Sequence, residues 1–181
     1  MIYGERIRLR ANERADLPCF VEWLNDPEVR EGISSYLPLS LAREEQWYEN
    51  MLKLPRDEQP LGIEIRDEHD TWKLIGNCGF FEFNWRCRSA EVGIFIGQKS
   101  IWNKGYGTEV MRLLLKHGFE TLNLNRIFLR VYATNLRAIR CYEKAGFVHE
   151  GRLRQAEYKH GEYVDFHVMS VLRSEYFGTR T

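Results

Sequence analysis

The chain has 181 residues, enough for one domain that buries about 70% of the surface its unfolded form would expose. Hydrophobic residues at 44%, aromatics at 13% and charged residues at 29% exclude a disordered, collagenous or coiled-coil chain. Lysine plus arginine, 26, balance aspartate plus glutamate, 26, so no general basic excess points to nucleic acid, and an anionic partner must be held locally.

In chain order, Glu5 to Arg10 alternates Ile7 and Leu9 with Arg6, Arg8 and Arg10, which predicts a first strand. Asp16 then caps a helix carrying Leu17, Phe20, Val21 and Leu24, ending near Asn25-Asp26-Pro27, with a helical turn continuing from Val29 to Ile33. Ser40 opens a second helix, Leu41 to Leu54, whose apolar positions include Trp47, Tyr48, Met51 and Leu52. Strands follow at Leu61 to Ile65, Trp72 to Phe83 and Glu91 to Ile96, with hairpin loops at Asp67 to Asp70 and Asn84 to Ser89. A long helix from Tyr106 to Leu122 has Met111, Leu114, Leu115, Gly118 and Leu122 as its apolar stripe, and a strand, Ile127 to Tyr132, comes next. A short helix, Leu136 to Ala145, stops at Gly146, and two alternating segments, Val148 to Tyr158 and Tyr163 to Leu172, close the chain around His160-Gly161-Glu162.

This order predicts one domain over residues 1–181, of mixed α/β (α+β) class: a mostly antiparallel twisted sheet with one strand-helix-strand crossover and helices on both faces. Cys19, Cys78, Cys87 and Cys141 lie far apart without metal-ligand spacing and read as free thiols. No apolar run approaches the roughly 20 residues needed to cross a bilayer, and Met1 to Arg6 holds no signal-peptide core. A cytoplasmic protein without membrane or nucleic-acid partners is expected.

The chemistry concentrates between Glu91 and Phe147. Gly105 and Gly107 remove two Cβ atoms where a strand passes into the long helix, so backbone N–H groups and the helix dipole can meet a phosphate or pyrophosphate there. The same glycines would also serve a plain tight turn. A P-loop GxxxxGK[ST] is absent, and a dinucleotide fingerprint fails because Val110 stands at its third glycine and Tyr132-Ala133-Thr134-Asn135 lacks a ribose-binding acid.

The run Trp102-Asn103-Lys104-Gly105-Tyr106-Gly107-Thr108-Glu109, followed by Val131 to Phe147, closely resembles the acetyl-CoA-dependent GNAT N-acetyltransferases. Arg6 to Arg10, Ile75 to Gly79 and Phe147 to Gly151 resemble the branch containing ribosomal-protein N-terminal and spermidine acetyltransferases. Trp102 departs from the Gln/Arg that commonly opens the family signature. The resemblance implies that Lys104, Gly105, Tyr106, Gly107 and Thr108 line the pyrophosphate of acetyl-CoA, while Phe95, Ile96 and Gly97 pair with the pantetheine arm as an added strand would.

It places Asn135 beside pantetheine, although an N-cap for the next helix is its local alternative. Tyr142, two helical turns on, is the implied general acid for the departing thiolate, with a core aromatic as the alternative. Glu91 is the candidate base, with a salt bridge as its other reading. Acceptor recognition falls to the early helices: Glu28, Glu31 and Tyr36 are the candidates, since six acids face two arginines between Glu13 and Glu31. The expected function is direct acetyl transfer from acetyl-CoA to a primary amine, whether polyamine, protein N-terminus, amino sugar or other small amine. No metal is required, and a homodimer is compatible with it. The alternative is a catalytically idle CoA-binding sensor or protein-interaction module.

Overall fold

The structure, a computed structural model, describes residues 1–178. It divides into two compact units: Met1–Gly79 with Ile94–Tyr106, and Phe80–Gly93 with the chain from Gly107 onward. Eight strands are present: β1 (Ile2–Tyr3), β2 (Ile7–Ala11), β3 (Leu61–Arg66), β4 (Trp72–Asn84), β5 (Ser89–Ile96), β6 (Arg126–Tyr132), β7 (Val148–Lys159) and β8 (Glu162–Leu172). They hydrogen-bond in the order β1-β2-β3-β4-β5-β6-β8-β7. The sheet is mostly antiparallel, as expected, and β5 and β6 run parallel because the helix between them carries the chain back to the same end.

In the first unit, β2 turns Ile7 and Leu9 into the core, each fully buried, while Arg8 and Arg10 take the other face. Glu64 lies directly opposite Arg8 on β3 and accepts from Arg8 Nε at 2.5 Å and Arg10 Nε at 2.8 Å. Arg10 also grips Asp16 with two nitrogens at 2.6 and 2.8 Å, which fixes the start of α1 (Leu17–Asn25). Asp26 caps α2 (Pro27–Arg30), and Ser40 caps α3 (Leu41–Met51) by accepting from Arg43 N. Leu17 and Phe20 of α1 and Tyr48 and Met51 of α3 form one cluster, with Trp23, Leu24, Trp47, Leu74 and Phe95 packed around it.

In the second unit, α4 (Tyr106–Lys116, its first residue belonging to the other unit) buries Val110, Met111, Leu113, Leu114 and Leu115. The expected continuation to Leu122 is present but wider: over His117–Thr121 the helix takes a π turn, with Leu122 N donating to His117 O at 3.1 Å. Helix α5 (Leu136–Ala145) stops at Gly146, whose φ of 107° is left-handed. Two elements go beyond the sequence expectation, β1 and a C-terminal helix α6 (Arg173–Gly178), whose Arg173 donates to Phe119 O at 2.5 Å. The expected helix to Leu54 ends at Met51. Among the described residues, no helix is long and apolar enough to cross a membrane, and no group of three or more His, Cys, Asp or Glu is placed to hold a metal ion.

Candidate active site

The glycine turn takes its shape from two departures from right-handed backbone, on either side of Lys104. Asn103 has φ 62° and Gly105 φ 86°, so the backbone is left-handed at two positions just before α4 begins at Tyr106, whose first-turn N–H groups have no partner within the helix. A side chain at Gly105 would be strained by that φ, and its Cβ would stand 3.4 Å from Arg6 Nη2. Trp102, the residue that departs from the family signature, donates from its indole Nε1 to Ile96 O at 2.8 Å and so ties the loop to the end of β5.

Arg6 is the site residue that sequence reasoning missed. It donates from Nη1 to Lys104 O at 3.1 Å and stacks over the Tyr106 ring at 4.5 Å, which sets a guanidinium beside the turn. The alternation of Arg6, Arg8 and Arg10 announced only a strand, because its partner lies 98 residues away.

At the end of β5, Gly97 N donates to Ile75 O at 2.9 Å. The Trp23 indole occupies the space a Cβ at Gly97 would need, 2.0 Å away, so only glycine fits. Lys104, Gly105 and Tyr106 thus gather around Arg6, while Phe95, Ile96 and Gly97 close a strand beside Trp23.

In the second unit, Thr108 Oγ1 on α4 donates to Cys141 O on α5 at 3.4 Å. Gly107 is the second residue of α4. Asn135 caps α5, its side-chain oxygen accepting from Ala138 N at 3.1 Å, which leaves its NH₂ free of that duty. Tyr142 sits on the same helix, half-buried, its ring 6.0 Å from Phe147. Its hydroxyl meets no hydrogen-bonding partner among the described residues, and desolvation, with a smaller contribution from Cys141, pushes the phenol well above its usual value.

Glu91 is placed differently from a free base. It is 3% exposed, and both carboxylate oxygens accept from Arg130, Oε2 from Nη2 at 2.5 Å and Oε1 from Nε at 3.0 Å. Arg130 reaches Glu82 as well, at 2.9 Å. The salt-bridge reading of Glu91 is the one this geometry matches, with the buried ion pair in place of a surface one.

The acceptor candidates stand in the first unit. Glu28 and Asp26 both hold Lys99 Nζ, at 2.5 and 2.7 Å, and that hydrogen bond draws the Asp26 carboxyl below its ordinary range. Glu31 follows α2 and is exposed. Tyr36 is 83% exposed and belongs to no packed cluster.

Residues 6–148 match the acetyltransferase (GNAT) domain family. The sequence is 32% identical to the uncharacterized N-acetyltransferase p20 of Bacillus licheniformis over 179 residues, 98% of each chain. It is 34% identical to the spermidine N(1)-acetyltransferase of Vibrio cholerae over 173 residues, 96% of each. The crystal structure of spermidine N-acetyltransferase from Vibrio cholerae in complex with CoA and spermine superposes with a TM-score of 0.85 at 30% identity, covering 95% of this chain and 98% of that one.

Proposed function

The chain belongs to the GNAT family of N-acetyltransferases, and from that premise we propose that it moves the acetyl group of acetyl-CoA onto a primary amine by direct attack on the thioester, with an aliphatic polyamine as preferred acceptor. Acetyl-CoA is the family's co-substrate. The observation that carries the reading is the Gly105 turn, whose left-handed backbone stands just before α4 and has the Arg6 guanidinium against it. A pyrophosphate is the ligand such backbone amides and guanidinium suit.

Each residue then has a task. In the first unit, Lys104 to Tyr106 hold the pyrophosphate and Phe95 to Gly97 offer backbone amides and carbonyls to pantetheine; in the second, the family resemblance assigns Gly107 and Thr108 to the pyrophosphate and Asn135 to pantetheine. As the amine nitrogen bonds to the acetyl carbon and the carbon–sulfur bond breaks, the Tyr142 hydroxyl gives its proton to the departing sulfur. Burial keeps the phenol in its protonated form throughout the working pH range, and the same shift makes it a weaker acid, so the transfer must accompany the build-up of charge on sulfur. Glu91 stays ion-paired to Arg130, the proton lost by the amine passes to water, and the phenolate left on Tyr142 takes a proton back from water to close the cycle. All four cysteines are free, which suits a reducing cytoplasmic setting.

The experiment is an acetyl-CoA turnover screen over spermidine, butylamine, a peptide with a free N-terminus and an amino sugar, reading thiol release. Turnover fastest with spermidine is expected. CoA binding without turnover on any amine would turn the reading to a CoA-binding sensor.

A further inference from the structure

Helix α3 buries one of its acids. Glu44 is 5% exposed, whereas Glu45 and Glu49 are exposed. Helical phase is the cause: Glu44, Tyr48 and Met51 stand at i, i+4 and i+7, so Glu44 shares the face whose Tyr48 and Met51 enter the aromatic cluster. Among the described residues no hydrogen bond or ion pair reaches its carboxylate. Three cations of the same unit are engaged with other acids: Arg10 holds Asp16 and Glu64, Arg14 holds Glu49, and Lys99 holds Asp26 and Glu28. No side-chain oxygen among those residues is both sealed from solvent and unpartnered, so the Glu44 oxygens keep an opening to the surface.

A carboxylate in such a place is costly without a cation. Burial alone pushes its carboxyl up to about 6. The cluster that its helix face enters through Tyr48 and Met51 is rich in rings: Phe20 lies 6.2 Å from Trp23, 6.2 Å from Trp47 and 5.8 Å from Phe95. Trp23 in turn lies on Gly97, at the end of β5 assigned above to the acetyl-bearing arm. Aromatic faces beside a carboxylate suit an alkylammonium, which gains from both charge and ring quadrupole.

Resting on the acetyltransferase reading above, we propose that Glu44 is the acceptor-anchoring carboxylate, holding an ammonium group of the acceptor other than the one that is acetylated. The distinction follows from chemistry. The attacking nitrogen must be unprotonated to use its lone pair, while a neighbouring carboxylate stabilises the protonated form. The acceptor therefore carries at least two amino groups, one bound as ammonium at Glu44 and one free to attack, which selects diamines and polyamines over monoamines.

The test uses the full chain as wild type, Glu44→Gln and, as a matched control for charge, Glu45→Gln. Calorimetric affinity for spermidine is measured with CoA present, and steady-state acetylation of spermidine is compared with that of butylamine. In Glu44→Gln, spermidine binding should weaken about 10- to 100-fold and its KM rise accordingly with kcat nearly unchanged, while butylamine kinetics and Glu45→Gln stay as wild type. Wild-type affinity in Glu44→Gln, or equal losses for spermidine and butylamine, would overturn the proposal. If wild type acetylated no amine at all, the enzymatic reading would fall, and the spermidine calorimetry would still decide on Glu44.

Discussion

A phenol raised by burial and a carboxyl raised by burial have opposite consequences for the roles proposed above, because the role of Tyr142 needs the protonated form and that of Glu44 the ionised one. Tyr142 stays protonated past its ordinary range, so its ionisation should not limit kcat below about pH 10. Tyr142→Phe should keep CoA affinity and melting temperature while kcat drops about 10²- to 10⁴-fold, measured by thiol release beside calorimetry. For Glu44 the folded value of about 6 exceeds the ordinary 4.5, so the folded state binds the proton more tightly and ionisation works against folding. The penalty is complete above about pH 6 and fades as pH falls toward 4.5. Glu44→Gln should accordingly melt higher than wild type at pH 7.5, by about 1–2 kcal/mol of stability, and lose that advantage near pH 4.5. At this scale the sequence was readable where residues are close along the chain: Asn135 caps α5 and Tyr142, seven residues on, lies within it. It was unreadable where a partner is remote, as with Arg130, 39 residues from Glu91.

Elements were legible in proportion to their length and periodicity. Helices α1, α4 and α5 and strands β3 to β8 announce themselves through caps and apolar spacing, whereas β1 has two residues and no period to detect. Helix α6 spans six residues and is held from outside its own sequence, by Arg173 on Phe119 O and by Tyr176 on Glu120 at 2.8 Å. Glu44 lies between these cases: its phase with Tyr48 and Met51 was there to read, but Arg43, Glu44 and Glu45 together look like a solvated helix start. The turn before α4 yields the test of the pyrophosphate assignment. Gly105→Ala should lower stability by about 1–2 kcal/mol, since alanine at φ 86° is strained, and so confounds fold with binding. Arg6→Ala is the cleaner probe, because Ile7 and Leu9 still fill the core. It should weaken CoA binding about tenfold with little change in melting temperature, and unaltered calorimetric affinity would remove Arg6 from the site.

The molecule as a whole carries no net charge, so attraction of a polycation must arise from local imbalance and be short-ranged. Six acids against two arginines between Glu13 and Glu31 leave minus four, and Lys99, bound to Asp26 and Glu28, reduces this to minus three. The pairing makes Glu28 a weaker attractor than its sequence context implied: its charge is already answered, and Asp26 would retain Lys99 if Glu28 were neutralised. Exposed carboxylates of this kind act through a field that physiological salt screens over about 8 Å, whereas Glu44 acts at contact and partly shielded from water. The two contributions therefore separate by ionic strength. Raising salt from 50 to 300 mM should lower kcat/KM for spermidine about two- to fourfold, and changing Glu28 and Glu31 together to glutamine should abolish most of that salt dependence while raising KM less than Glu44→Gln does. A double variant with unaltered salt dependence would show those two acids to be an ordinary solvated surface, leaving acceptor recognition to the buried carboxylate of α3.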